Sequence, residues 1–181
     1  MIRPRYALLA TVAVLGSSVT SYVTLPRKLV WNASASTPIG LYFVASPRDL
    51  AVADLVVVDA PAPLAAFLAE RGYLPKGVPL LKRILAIPGQ VVCRSNLTIT
   101  VDGIKVGTAL RRDRAGRDLP VWQGCRRIPT GEVFLMNRQV PDSLDGRYFG
   151  LTSTDRIIGR AVPLCTDEHG NGRFEWRAPS R

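Results

Sequence analysis

The sequence predicts a mainly β domain carried behind a single N-terminal membrane-spanning helix. Three observations point to that class. Tyr6 to Leu25 is an uncharged run of 20 residues, enough at ~1.5 Å rise per residue to cross a hydrocarbon core of ~30 Å. Beyond Pro26 the chain breaks into short stretches rich in Val, Ile, Leu and Thr, separated by Pro, Gly and Asp, which is the pattern of compact β structure. Helical spacing is found in one further stretch only. The 181 residues allow one domain of ordinary size plus an anchor.

Arg3 and Arg5 precede the apolar run, and Arg27 and Lys28 follow it, so charge bias alone leaves its orientation open. A positively charged start of the secretory kind favours a cytoplasmic N-terminus at 1–5, a transmembrane anchor at 6–25 and an exported, periplasmic domain at 26–181. Ala33-Ser34-Ala35 has the A-x-A form of a leader cleavage site. It lies well beyond the apolar region, where cleavage would sever the anchor directly before Ser36, so a retained anchor is expected.

Strands are expected at Gly40 to Ala45, Leu55 to Asp59, Val78 to Ile87, Gln90 to Arg94, Leu97 to Val101, Val133 to Met136 and Ile157 to Leu164. A helix is expected from Pro63 to Arg71: proline suits the first turn, Leu64, Phe67 and Leu68 share a face, and Gly72 can end it. The mixed-charge run Arg111 to Asp118 reads as a solvated loop. The polar tail from Thr166 reads as partly loose, with Phe174 and Trp176 able to dock.

The formal charge is +10, and of 24 basic residues four are lysines (Lys28, Lys76, Lys82 and Lys105), leaving 20 arginines. No zinc spacing, helix-turn-helix pattern or aromatic-basic platform accompanies this excess. It reads as a surface beside anionic lipid and not as a nucleic-acid interface. The imbalance matters for chemistry, because a lysine can become a base once burial lowers its pKa, whereas an arginine cannot lose its proton.

Ser36 is the candidate nucleophile, set in the small-residue segment Asn32-Ala33-Ser34-Ala35-Ser36-Thr37-Pro38-Ile39-Gly40. A serine hydroxyl attacks an amide when a neighbouring base takes its proton. Lys82 is the candidate base: on a strand it shares a face with Leu80, Ile84 and Ala86, while Arg83 points the other way with Leu81 and Leu85. Desolvation there would lower its pKa from ~10.4 by up to ~3 to 5 pH units. A lysine whose stem crosses an apolar edge while its head reaches water fits the same strand.

Other chemistries find little support. His169, the sole histidine, sits in the turn-like run Asp167 to Gly172, which suits a surface position better than a catalytic triad or a zinc site. No glycine-rich loop leads from a strand into a helix, and no cofactor or metal is expected. Cys93, Cys125 and Cys165 lack C-x-x-C spacing; one disulfide plus a free thiol suits an oxidising compartment. Cys93 with Cys125 is the expected pair, although spacing does not determine connectivity.

Three ordered blocks stand out: Asn32-x-Ser34-x-Ser36-x-Pro38-x-Gly40-x-Tyr42; Lys82-Arg83-Ile84-x-x-Ile87-Pro88-Gly89; and Phe134-Leu135-Met136 followed by Pro141-Asp142-Ser143-x-Asp145-Gly146-Arg147-Tyr148-Phe149-Gly150 and Ile157 to Ala161. Together they resemble the type I signal peptidases, and more closely their conjugative-transfer branch, the TraF peptidases. A single Thr37 separates Ser36 from Pro38, where general signal peptidases commonly have two residues, one of them Met; this favours the TraF branch. Ser34 stands where that branch often has Thr, a change that keeps the hydroxyl.

The resemblance implies a signal-peptidase-like β domain with Ser36 as acylating nucleophile and Lys82 as general base. It also implies Ser36 N–H and the Ser34 hydroxyl as oxyanion donors, Ser143 orienting the lysine amine, and Asp145 with Arg147 as a supporting ion pair. Implied partners are a pilin precursor or other exported peptide with small residues before the scissile bond, inner-membrane lipid and a conjugative secretion apparatus. For some members of the branch the product is a cyclised pilin. Two other readings are a general signal peptidase for exported preproteins and a non-catalytic, membrane-tethered assembly module.

Overall fold

The computed structural model describes residues 28–178. The expected cytoplasmic segment at 1–5 and anchor at 6–25 lie outside these residues. Among the described residues, no helix is long and apolar enough to cross a membrane.

The architecture is mainly β. In chain order the elements are β1 (Leu29–Asn32), β2 (Ile39–Ala45), β3 (Leu55–Val58), α1 (Ala62–Glu70), β4 (Leu80–Ala86), β5 (Val91–Ser95), β6 (Thr98–Val101), β7 (Ile104–Thr108), β8 (Gly124–Arg127), β9 (Glu132–Leu135), α2 (Gly146–Phe149), β10 (Leu151–Ser153), a 3-10 turn (Thr154–Arg156), β11 (Ile157–Asp167) and β12 (Glu175–Trp176). A large sheet runs in the order β1-β2-β11-β3-β4-β9-β10, with β12 paired to β11, and a smaller sheet runs β7-β6-β5-β8.

The large sheet brings distant parts of the chain together. β2, which follows the Ser36 loop, pairs antiparallel with β11 from Asp167↔Ile39 to Arg160↔Ala45. β3 joins β11 to β4 through Val56↔Lys82 and its neighbours. The register of β11 shifts between Pro163 and Cys165, at a proline that has no N–H to give to a ladder. Gly40 has φ +148, and a Cβ there would meet Cys165 O at 2.2 Å, so a side chain at this position would push β2 off β11.

β4 is covered on both faces. Tyr42, Val44, Val57, Leu81 and Ala161 form one buried cluster, and Val56, Val58, Ile84, Val133 and Leu135 form another. A third, containing Val92, Ile99, Ile128, Phe134 and Met136, joins the small sheet to β9. Lys82, Ile84 and Ala86 are buried as the alternation predicts, but Leu81 on the opposite face is buried too.

Each expected strand is present with its ends in place or shifted by at most three residues, and the expected helix runs from Ala62 to Glu70 with Pro61 as its N-cap. Strands β1, β7, β8, β10 and β12 were not foreseen. The Arg111 to Asp118 loop is anchored, not merely solvated: Asp113 accepts a hydrogen bond from Tyr73 Oη and an ion pair from Arg117, and Arg117 Nη2 donates to Arg71 O at the end of α1. The tail also docks. β12 pairs with β11 at Cys165↔Trp176, and Phe174 packs on Trp31 with ring centroids 5.9 Å apart. Cys93 and Cys125 lie directly opposite each other on β5 and β8 and are joined by a disulfide, leaving Cys165 free. His169 is exposed and lies 3.5 Å from Glu175.

Candidate active site

The Ser36 loop is organised by Asn32, the last residue of β1. Its side-chain NH2 donates to the carbonyls of Ser34 (2.9 Å), Thr37 (3.1 Å) and Pro38 (3.0 Å) and to Thr37 Oγ1 (2.8 Å), while its Oδ1 accepts from Ser34 N (3.0 Å). Buried Tyr42 reaches back to donate its hydroxyl to Pro38 O at 2.6 Å, and burial raises that phenol to about 12, so it stays a donor at physiological pH. Ser36 is left half-buried on a turn held by these hydrogen bonds.

Ser36 Oγ lies 3.0 Å from Ser34 Oγ. The Ser34 hydroxyl donates to Asn32 Oδ1 at 3.0 Å, so the proton between the two serines comes from Ser36. In this arrangement Ser34 accepts from Ser36 while its own proton is committed to Asn32, and it must turn away from Asn32 before it can donate elsewhere.

Lys82 projects from the middle of β4 and is 5% exposed. Its Nζ donates to Ser143 Oγ at 2.8 Å. Burial lowers its pKa from 10.5 to about 8, against the pull of Asp145, which favours the charged form, and with a smaller push from Arg147. An amine with that pKa is partly neutral near pH 7 and can accept a proton.

Ser143 is held by the Asp145–Arg147 pair, whose side chains are 0% and 1% exposed. Arg147 Nε donates to Asp145 Oδ1 and Nη2 to Oδ2, both at 2.9 Å. The remaining donors go to the backbone of the same loop: Nη1 to Pro141 O (2.8 Å), and Nη2 to Val140 O (2.7 Å) and Ser143 O (3.0 Å). Asp145 also caps α2 by accepting from Arg147 N. Gly146 lets this turn lie against β9, since a Cβ there would meet Leu135 O at 2.7 Å.

Thus Lys82, Ser143, Asp145 and Arg147 form one connected group, and Ser34 and Ser36 another. The link between them is Asn137, whose side chain bonds Ser36 O on one side and Leu81 O on the other. Ser36 Oγ is bonded to Ser34, and Lys82 Nζ to Ser143; among the described residues no hydrogen bond joins the two directly, as is common in unliganded sites. The groups also face different hollows. Ser36, Arg83 and Asn137 line a cleft of about 570 Å³, whereas Lys82 and Asp145 border an apolar cavity of about 470 Å³ walled by Leu64, Phe67 and Phe149. The Cys93–Cys125 bridge belongs to the small sheet and not to this group. Asn32 and Asn137 were absent from the residues chosen from sequence; the block beginning at Asn32 could have flagged the first, but no motif flagged the second. Among the described residues no cluster of His, Cys, Asp and Glu could hold a metal.

Comparison with known proteins agrees with the sequence blocks. The family model described as signal peptidase, peptidase S26, matches residues 3–165. The chain is 31% identical over 169 residues to a plasmid transfer protein TraF of Escherichia coli, covering 88% of this chain and 89% of that one. It is 35% identical over 147 residues to a conjugal transfer protein TraF of Agrobacterium fabrum, covering 75% and 81%. A probable signal peptidase I-1 of Synechocystis is 30% identical over 111 residues, covering 61% and 52%.

The burial of Lys82 has a measurable consequence. Its folded pKa lies below the unfolded value, so between about 8 and 10.5 the unfolded chain holds the extra proton and this group's burden on stability lightens as pH rises through that window. The difference corresponds to about 3 kcal/mol at ~1.4 kcal/mol per pH unit. Lys82→Met is therefore expected to stabilise the protein at pH 7, with the gain shrinking towards pH 10.5, as read by urea unfolding. Equal stability of the two chains at pH 7 would show that the amine is solvated.

Proposed function

The chain belongs to the signal peptidase family, peptidase S26, and from that premise we propose that it is a serine endopeptidase that matures an exported precursor in conjugation, with Ser36 as nucleophile and Lys82 as general base. The observation that carries the reading is the buried, partly neutral Lys82 amine directed by Ser143, on a strand tied through Asn137 to the Ser36 loop. The two TraF relatives are matched over most of their length, which favours a substrate belonging to conjugative transfer over general preproteins; a pilin precursor is the substrate that the resemblance to the TraF branch implies.

The extended substrate lies in the cleft beside Ser36, Arg83 and Asn137. Neutral Lys82 takes the Ser36 proton as Oγ attacks the scissile carbonyl, and Ser36 N–H donates to the oxyanion. Collapse breaks the C–N bond, and the lysine ammonium returns the proton to the leaving amine. The resulting ester on Ser36 is then opened by water, with Lys82 again the base, or by the amino terminus of the same substrate, which closes a ring.

We place the domain on the periplasmic side of the inner membrane, behind the apolar Tyr6–Leu25 run. The Cys93–Cys125 disulfide suits an oxidising compartment. Leu29, Trp31, Phe43, Val162, Phe174 and Trp176 are all exposed, and the pairings Leu29↔Phe43↔Val162 put three of them in one row at the start of the described chain. Such aromatic-rich surface suits a lipid headgroup layer.

Ser36→Ala and Lys82→Ala are each expected to lower kcat/KM on the precursor by ~10⁴-fold or more. Wild-type kcat/KM should rise with pH through a midpoint near 8, because only the uncharged amine accepts the serine proton. A flat profile from about pH 6 to 10, or an active variant, would count against the dyad. Mass spectrometry of the processed pilin separates the two fates of the ester: a ring weighs one water less than the linear chain, and a product carrying that water excludes cyclisation. For location, Ala115→Cys in the exposed charged loop should react with a membrane-impermeant maleimide in intact spheroplasts; labelling only after lysis would put the domain in the cytoplasm.

A further inference from the structure

Asn137 is 4% exposed and lies two residues past the end of β9, where that strand has left its partner β4. The last backbone bond between the two segments is Met136 N–H to Arg83 O at 2.9 Å. Beyond it the Asn137 carboxamide takes over the ladder. Its Oδ1 accepts from Arg83 N at 2.9 Å and its Nδ2 donates to Leu81 O at 3.2 Å, the two groups that a further strand residue would have paired. The amide thus grips β4 on both sides of Lys82 in sequence.

The same Nδ2 donates to Ser36 O at 2.8 Å, while the Asn137 backbone N–H donates to Asp145 Oδ2 at 3.1 Å. One residue therefore contacts the nucleophile's own carbonyl, the base's strand and the carboxylate behind Ser143. Neither shape nor charge makes this role generic: an aspartate would lack the two donors, an alanine would reach none of these partners, and a glutamine would carry its amide one methylene too far.

We propose that Asn137 is a positioning residue that fixes Ser36 against the strand bearing Lys82, and so sets the separation over which the serine proton travels. The inference rests on the Ser/Lys reading above. Asn137 does not touch the lysine amine, whose surroundings are Ser143, Asp145 and Arg147. Its loss should therefore slow the chemical step without changing the protonation of the base.

The test compares full-length wild type and Asn137→Ala in detergent on one peptide spanning the cleavage site. A misplacement of about 1 Å costs on the order of 100-fold, so kcat is expected to fall at least ~30-fold with KM changed less than about threefold. The acid midpoint of the kcat/KM profile should remain near 8. A kcat within about threefold of wild type, a loss confined to KM, or a midpoint moved by more than about half a pH unit would overturn the proposal. If Asn137→Ala does not fold, the isosteric Asn137→Asp keeps the acceptor for Arg83 N–H and loses both donors; it should show the same fall in kcat, and wild-type kcat in that folded variant overturns the positioning role. Wild type that is indifferent to Ser36→Ala removes the Ser/Lys reading and this proposal with it. An active, Ser36-dependent wild type matched by Asn137→Ala removes the positioning role alone.

Discussion

The site depends on the buried ion pair between Asp145 and Arg147. Taking both charges out of water costs several kcal/mol each, and the geometry offsets that cost by satisfying the groups around them: Arg147 meets both carboxylate oxygens and three backbone carbonyls of its own loop. That loop carries Ser143, and Ser143 aims the Lys82 amine. Removing either partner would leave an uncompensated buried charge, typically a loss of ~3 to 5 kcal/mol.

Proximity to this pair would be expected to hold Lys82 charged or uncharged according to which partner it faces. Burial outweighs both: it is the largest influence and lowers the pKa, with Asp145 opposing and Arg147 assisting. Because the pair is nearly neutral as a unit, its two ends act on the amine in opposite senses. The fold can then tune this amine mainly by how dry it keeps β4, which is why the covering clusters on both faces of that strand matter for its protonation as well as for stability.

Much of this was legible in the sequence. Alternation marks the strands that dominate the core, and the same alternation places Lys82 with Ile84 and Ala86 on a buried face. What alternation could not show is that Leu81 on the other side is covered as well, because that depends on β2 and β11 meeting across more than 100 residues of chain. β8 escaped notice since Gly124–Arg127 has no apolar face and owes its place to β5 and the disulfide. β1 lacks a buried apolar face too: Leu29 and Trp31 are exposed and its one buried residue is Asn32. Asn137 escaped for a different reason: a side-chain amide that replaces a peptide group in a ladder leaves no periodic trace and shows itself only through its hydrogen bonds.

The connectivity of the large sheet also sets the order in which the parts of the candidate site come together. Ser36 lies near the start of the described residues, yet its loop is secured by Asn137, 101 residues later, and the strand that follows it is flanked by β11, which ends at Asp167. During synthesis the Ser36 loop is made first, and Lys82, Asn137 and β11 follow it out of the ribosome. On the proposed Ser/Lys reading, a site assembled in this order is latent in the nascent chain and becomes whole only after β11 has emerged.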